Sequence, residues 1–392
     1  MAAKTTTAST LNPETSAVIV GYARSPFTPA NKGALAGTRA DDLAAQVVNG
    51  LIKKTGVEAK HIEDLILGCA FPEAEQGFNL ARLVVMLAGL PLTIGGVTIN
   101  RFCGSSMEAI HMAAGRVAAG MGEVFLCAGV EGMSRVPMTG FNPMPNPTLF
   151  AKMPEAYIGM GETAENLAVK YKISRKDQEK FAAASHKKAA TAFGKNYFKD
   201  EIVPITTTKG VVEVDGCIRP ETDAVSLAAL KPAFDQNGTV TAGTASPLTD
   251  GASAVLVTSE AYARKHKLPI IARIKSFAVS GCKPEIMGIG PVESSKKALK
   301  RAGLTLSDMD VIELNEAFGA QSLAVLHDLD VDTSKVNIDG GAIALGHPLG
   351  ASGARITGKA ASLLKRTKGK YALATMCIGG GQGIATVLEA VD

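Results

Sequence analysis

Short apolar runs broken by glycine and polar turns recur along the chain, and stretches with helical apolar spacing follow several of them. In the first third the runs fall at 17–20, 64–68, 97–99 and 124–128. The last third repeats the series at 271–274, 310–314, 336–338 and 371–377, and a closing run occupies 383–388. Between the third and fourth runs each end of the chain turns helical. Met107, Ile110, Ala114, Val117 and Met121 share one helical face, and a helix follows His347 in the second series.

The two series predict a duplicated βα scaffold. In the second, only 378–382 separates the last two strands, too short for a crossover, so the closing strand should run antiparallel to its neighbour. Its counterpart in the first half, 251–257, lies far downstream, which makes 131–244 an insertion. Within it 162–171 and 174–192 look helical, with Ser174 as N-cap and Asp177 in the first turn, so the insertion is structured and suited to a lid. The expected division is 1–130 plus 245–268, the insertion 131–244, and 269–392. Such alternation reads as α/β, mostly parallel sheets covered by helices, with ligands gathering where strand ends from both halves meet.

Composition narrows the partners. The 392 residues are 46% hydrophobic, enough for a substantial core, and the net charge of +4 offers no field that would attract nucleic acid or a membrane surface. The insertion balances 14 Lys+Arg against 13 Asp+Glu, so it is no basic domain. Six cysteines, at 69, 103, 127, 217, 282 and 377, form no CxxC pair and have no histidine at zinc-ligand spacing, so no metal site is expected. They read as reduced thiols of a cytoplasmic protein. Asp328, Asp330 and Asp332 suggest a calcium loop, but Thr333 stands where the turn needs glycine and Asp339 where the bidentate Glu belongs, which leaves a solvated surface. No apolar stretch is long enough for a membrane span, and residues 1–16 suit a loose terminus better than a targeting segment.

Four segments carry candidate chemistry. Cys103 in Cys-Gly-Ser-Ser sits between a strand and a helix N-terminus, where free amides and the helix dipole favour a thiolate; the same pattern also suits a buried small hydrophobe. His347, between Gly346 and Pro348, is a general-base candidate or a turn histidine, and by the duplication it matches the position of Cys103. Cys377 opens Cys-Ile-Gly-Gly-Gly-Gln-Gly, whose glycines either form a hairpin or expose amides as oxyanion donors beside a second thiol. Asn315 in Asn-Glu-Ala-Phe stands at a strand tip, where its amide can position a water. The other cysteines, with His61, His111, His186, His266 and His327, read as structural or surface residues.

Taken together and in this order, these four motifs resemble the thiolases, with support from the segment 161–166 and from 238–251. The resemblance covers the chain after residue 16 and implies a five-layered αβαβα fold of two similar halves plus a loop domain that carries coenzyme A contacts. It implies that Cys103 attacks the 3-keto carbon of a 3-ketoacyl-CoA, that His347 takes its proton, and that Cys377 protonates the departing acetyl-CoA carbanion. Asn315, through a water, and His347 would hold the enolate oxygen, while the amides of Cys103 and Gly379 form the other oxyanion site. Ser246, Arg219, Phe234, Met160, Ala317 and Phe318 would contact coenzyme A and the acyl chain. Coenzyme A and acyl-CoA enter as substrates, with no permanently bound cofactor.

Gly159 precedes Met160 where short-chain members of the family carry histidine, which favours the degradative branch over a biosynthetic acetoacetyl-CoA thiolase. A ketoacyl synthase needs no second catalytic thiol, and a non-catalytic acyl-CoA carrier would be expected to lose some of the four polar residues. The resemblance also implies a homodimer or homotetramer, with a hydratase/dehydrogenase subunit as a conceivable partner.

Overall fold

A computed structural model describes residues 12–391; the expected loose terminus lies, for residues 1–11, outside the described residues. Residues 13 and 16 are not loose. Their carbonyls accept from the amides of Ala261 and Glu260, the first free donors of the helix that begins there.

Nine strands and a two-residue tenth form one sheet. They are β1 Ala17–Arg24, β2 Asp64–Gly68, β3 Gly95–Ile99, β4 Val124–Gly132, β5 Thr249–Ser259, β6 Ala272–Gly281, β7 Val311–Leu314, β8 Tyr371–Ile378 and β9 Gln382–Glu389; Thr28–Pro29 adds the tenth beside β5. Across the sheet the order is β3-β2-β4-β5-β1-β6-β9-β8-β7. Read outward from the β1/β6 seam, the two halves match. In the first half β5 is antiparallel to β1 and β4, and β2 is parallel to β4 and β3. In the second β9 is antiparallel to β6 and β8, β7 is parallel to β8, and an isolated parallel bridge from Ile312 to Val336 stands where β3 would pair. The duplication and the antiparallel closing strands are present, but the expected mostly parallel sheet is not: among the described strands only β2/β3, β2/β4 and β7/β8 pair in parallel, because each closing strand and the β1/β6 seam pair antiparallel. At the seam only Val18 with Arg273 and Ile19 with Ala272 pair.

Most strands are buried on both faces, and helices cover them. On the outer face of the first half, α1 Ala40–Thr55 and α2 Leu80–Leu87 pack Leu43, Val47, Leu51 and Val84 against Val18, Leu65, Leu67 and Leu126. Between the halves lie α3 Ser105–Ala118 and a helix from the last third, Leu349–Thr367; they bury Met107, Ile110, Ala354 and Ile356 against Ile66, Cys127, Val255, Ala374 and Met376. The second half's outer face is covered by Gly290–Ala302 and Gly319–Leu329, with Val292, Leu299 and Val325 on Ile312 and Leu314. Helix, first half of the sheet, helix, second half of the sheet, helix gives five layers. Met121, predicted on the α3 face, is 69% exposed, because the helix ends at Ala118 and Gly120 turns left-handed at φ +68°.

The insertion contributes α4 Met160–Lys170 and α5 Arg175–Gly194, where Ser174 caps as predicted by accepting from the Asp177 amide. It is locked to the scaffold by buried charge. Arg24 of β1 donates in bidentate fashion to Asp215 at 2.7 and 2.8 Å and through Nε to Glu201 at 3.0 Å. Glu201 also pairs with Lys359 of the central helix at 3.2 Å, and Lys359 continues to Asp339 at 2.7 Å. Removing one partner from such a buried set costs about 3–5 kcal/mol, because a charge is left uncompensated.

Candidate active site

The loop from β3 to α3 is held in an unusual shape. Phe102 adopts φ +43°, and Asn100 braces it, accepting from the Phe102 amide at 2.8 Å while its own amide donates to the Ala70 carbonyl at 2.9 Å. Ser105 accepts from the Arg101 amide at 2.9 Å and donates to the Phe102 carbonyl at 2.6 Å, closing the turn around Cys103. Each residue after the cysteine has a packing reason. A Cβ at Gly104 would lie 2.7 Å from Ile378, the last residue of the strand that carries Cys377. Ser106 accepts from the Ala354 amide at 2.8 Å, tying α3 to the facing central helix.

Cys103 therefore sits against the Cys377 strand, with the Gly379 backbone near enough to favour its thiolate. Cys377 is buried beside it, close enough that a Cys103 thiolate would disfavour ionisation of Cys377. The prediction that the helix N-terminus favours a Cys103 thiolate needs correction. Burial pushes the thiol up to about 12; the Gly379 amide and the cysteine's own amide oppose this, and the nearby Glu131 carboxylate adds to it. The helix starts at Ser105, and desolvation outweighs its end. Burial also raises the Cys377 thiol.

His347 stands two residues before its helix, as Cys103 does before α3, so the positional match read from the duplication holds. Leu349, next but one to His347, packs in one cluster with Cys103 and Met133. The histidine is held from three sides. Its amide donates to Thr249 Oγ1 at 3.0 Å, Nδ1 meets Ser352 Oγ at 2.6 Å, and Nε2 meets Asn315 Nδ2 at 3.4 Å. With the Asn315 amide nitrogen donating, Nε2 carries the lone pair and Nδ1 the hydrogen, which it gives to Ser352, whose own hydrogen is then free for the Pro348 carbonyl at 3.1 Å. Burial, and then the charge of Arg355, lower His347 to about 3, which leaves the ring neutral. The arrangement is two neighbouring thiols and a neutral imidazole whose acceptor nitrogen meets the Asn315 amide. Asn315 Oδ1 is buried without a partner, an acceptor suited to a bound water.

Three polar anchors were not singled out in the sequence. Glu131 accepts from the amides of Ala70 at 2.8 Å, Phe71 at 3.1 Å and Gly350 at 2.9 Å, and from Gln76 Nε2 at 3.0 Å. One carboxylate thus ties the loop after β2 to the turn that follows His347. Glu316, beside Asn315, accepts from Ser185 at 2.6 Å, Asn337 at 2.8 Å and the Ile343 amide at 3.2 Å. Ser352 is the third. A lone Glu or Ser at the edge of a motif has no periodicity to reveal it; for Glu131 the only hint was an acid ending an otherwise apolar strand.

Of the residues expected to contact coenzyme A and the acyl chain, Met160, Ala317 and Phe318 cluster with Cys377, Val240 and Met287. Ser246 donates to the Ala317 carbonyl at 3.1 Å, and Phe234 meets Phe318 edge-on at 5.8 Å between centroids. Arg219 stands apart. It is exposed, and its backbone amide bonds His186 Nδ1 at 3.2 Å. A separate cavity of about 660 Å³ touches Glu316 and Ser185 but neither cysteine.

Comparison with known proteins gives a consistent result. Residues 17–261 match the family described as thiolase, N-terminal domain, and 268–390 match thiolase, C-terminal domain. The 3-ketoacyl-CoA thiolase of Vibrio cholerae (Classical Ogawa 395) is 51% identical over 382 residues, covering 95% of this chain and 98% of that protein. That of Bacillus subtilis is 46% identical over 386 residues, covering 95% and 99%. Human mitochondrial 3-ketoacyl-CoA thiolase superposes with a TM-score of 0.89 at 41% identity, covering 96% of this chain and 99% of the other. A structure of that human protein in complex with CoA superposes at 0.88, again at 41% identity, covering 96% and 98%.

Proposed function

Because this chain belongs to the thiolase family, we propose that it cleaves 3-ketoacyl-CoA with coenzyme A to acetyl-CoA and an acyl-CoA two carbons shorter, as a degradative enzyme of fatty-acid oxidation. One observation supports the assignment of roles: Cys103, in the turn after β3, neighbours Cys377 near the end of β8 and packs with Leu349, next but one to His347, whose ring is neutral. In the first step His347 Nε2 takes the Cys103 proton as sulfur bonds to the 3-keto carbon. The bond between C2 and C3 then breaks, leaving an acyl thioester on Cys103 and a carbanion at C2 of the acetyl thioester. Cys377 gives its proton to that carbanion and acetyl-CoA leaves. In the second step the thiol of coenzyme A attacks the acyl-enzyme and its proton restores Cys377. As the carbon–sulfur bond to Cys103 breaks, its sulfur recovers the proton held by His347.

Two sites stabilise charge in this reading. The amides of Cys103 and Gly379 face the oxyanion of the tetrahedral intermediate, and Asn315, through a water, acts with His347 on the enolate oxygen. Division between two thiols is chemically sensible, since one must be a nucleophile and the other must exchange a proton with carbon. A ketoacyl synthase has no use for Cys377, and its burial beside Cys103 argues against that alternative. Coenzyme A is assigned to Ser246, Met160, Ala317, Phe318 and Phe234, and its adenine to the exposed Arg219. The division into 1–130 with 245–268, 131–244 and 269–392 draws support from β5, which pairs with β4 in the first half's sheet, although β4 runs on to Gly132, two residues past that boundary.

Self-association into a homodimer or homotetramer is supported by β3, an open edge strand with half-buried residues. Around it in sequence stand Phe78, Met86, Leu87 and Leu92, all substantially exposed. Six free cysteines support a reducing, cytoplasmic setting. Among the described residues no helix is long and apolar enough to cross a membrane.

The test is direct. Incubation with acetyl-CoA, followed by peptide mass spectrometry, should place the acetyl group on Cys103 alone; label on Cys377 reverses the roles.

A further inference from the structure

Glu58, His61 and His266 meet at the end of the first half away from the cysteines. Their ligating atoms all lie within 4.8 Å of one another. His61 ends the single turn of 3-10 helix that leads into β2, and His266 caps helix Glu260–Lys265, so residues about two hundred positions apart are brought together by the fold. Cys103 follows the C-terminal end of β3, which runs parallel to β2, whereas His61 precedes the N-terminal end of β2. The cluster is thus separate from the catalytic pocket.

We propose that Glu58, His61 and His266 bind a divalent transition-metal ion of the zinc class, with a fourth position open to water. Two imidazoles and one carboxylate are a ligand set this class accepts, at about 2.0–2.2 Å per bond. Tetrahedral bonds of that length place neighbouring donors about 3.4 Å apart, so small side-chain rotations close the present spacing. Tyr262 supplies the outer support. Its hydroxyl lies 2.8 Å from His61 Nδ1, leaving Nε2 to coordinate, and its ring stacks on His266 at 4.2 Å between centroids. Glu58 now pairs with Lys60 at 2.7 Å, but both side chains are exposed, so that pair yields at little cost. Bound there, the ion would cross-link the entry to β2 with the end of the Glu260–Lys265 helix. Spacing rules applied to the sequence could not find it, because the two histidines belong to distant segments.

Chelator-treated full-length protein titrated with Co²⁺ tests the proposal, because cobalt reports its ligands. The expected result is visible ligand-field absorption saturating at one ion per chain without an intense sulfur charge-transfer band near the ultraviolet. H61A and H266A should each weaken binding at least tenfold, and Y262F should weaken it about tenfold, with thiolysis unchanged in the metal-free proteins. Metal should raise the thermal midpoint of the parent but not of H266A. Saturation unaffected by either histidine variant, a spectrum dominated by thiolate ligation, or no binding at millimolar Co²⁺ would each overturn it. H61N and H266N, which keep side-chain volume, stand in if an alanine variant fails to fold.

Discussion

In the first half the chain leaves its parallel edge strand at Ile99 and enters α3 at Ser105, with Cys103 in the turn; in the second it passes Val336 and enters the matching helix at Leu349, with His347 in the turn. The backbone plan is shared, yet one turn presents sulfur and the other an imidazole. A second pair differs by register. Cys127 and Cys377 occupy corresponding strands, but Cys127 lies mid-strand, its thiol 3.5 Å from the Ala109 carbonyl inside the core. Cys377 is the last residue but one of β8, where the glycine turn leaves it facing Cys103 and the Met160 cluster. Duplication supplies equivalent positions; the distance from the strand end decides whether a thiol can react.

The sharpest test of that contrast is Cys377→Ser. Proton exchange at the acetyl-CoA methyl, followed by deuterium incorporation, should fall about 100- to 10,000-fold, while Cys103 still takes up acetyl. Cys127→Ser should leave exchange intact; equal loss in both variants would break the comparison. A smaller effect concerns the nucleophile. With its thiol pushed up to about 12, the thiolate fraction of Cys103 should rise tenfold per pH unit through the neutral range. Alkylation by iodoacetamide at the Cys103 peptide should climb steadily between pH 7 and 10, and a plateau below pH 8 would restore the helix-stabilised thiolate. The smallest change expected is Ser352→Ala. Losing the acceptor for Nδ1 is worth about 1 kcal/mol, so kcat should fall roughly fivefold with KM little changed. A drop in stability with kcat preserved would make Ser352 merely structural.

The scaffold was legible because strands and helices repeat their patterning, and connector length alone fixed the antiparallel β8/β9 pair. The four proposed positions stood out in the sequence because glycine, proline and small residues crowd around them. What escaped was polar and buried. Lys359 and Arg355 lie on a helix whose charges would ordinarily face solvent, yet they pair inward with Glu201 and Glu313. Glu131 acts through backbone amides of distant loops, which leave no mark in spacing. The thiolate expectation is opposed for a related reason: local sequence reveals a helix end but not the desolvation of the half-buried thiol that precedes it.

The central layer has a consequence for biogenesis. The apolar face of α3 is covered by a helix made some 230 residues later, so a growing chain carries that face bare for most of translation. The nascent first half is therefore a natural client for chaperones, and truncation before residue 349 should yield an insoluble polypeptide rather than a smaller folded unit.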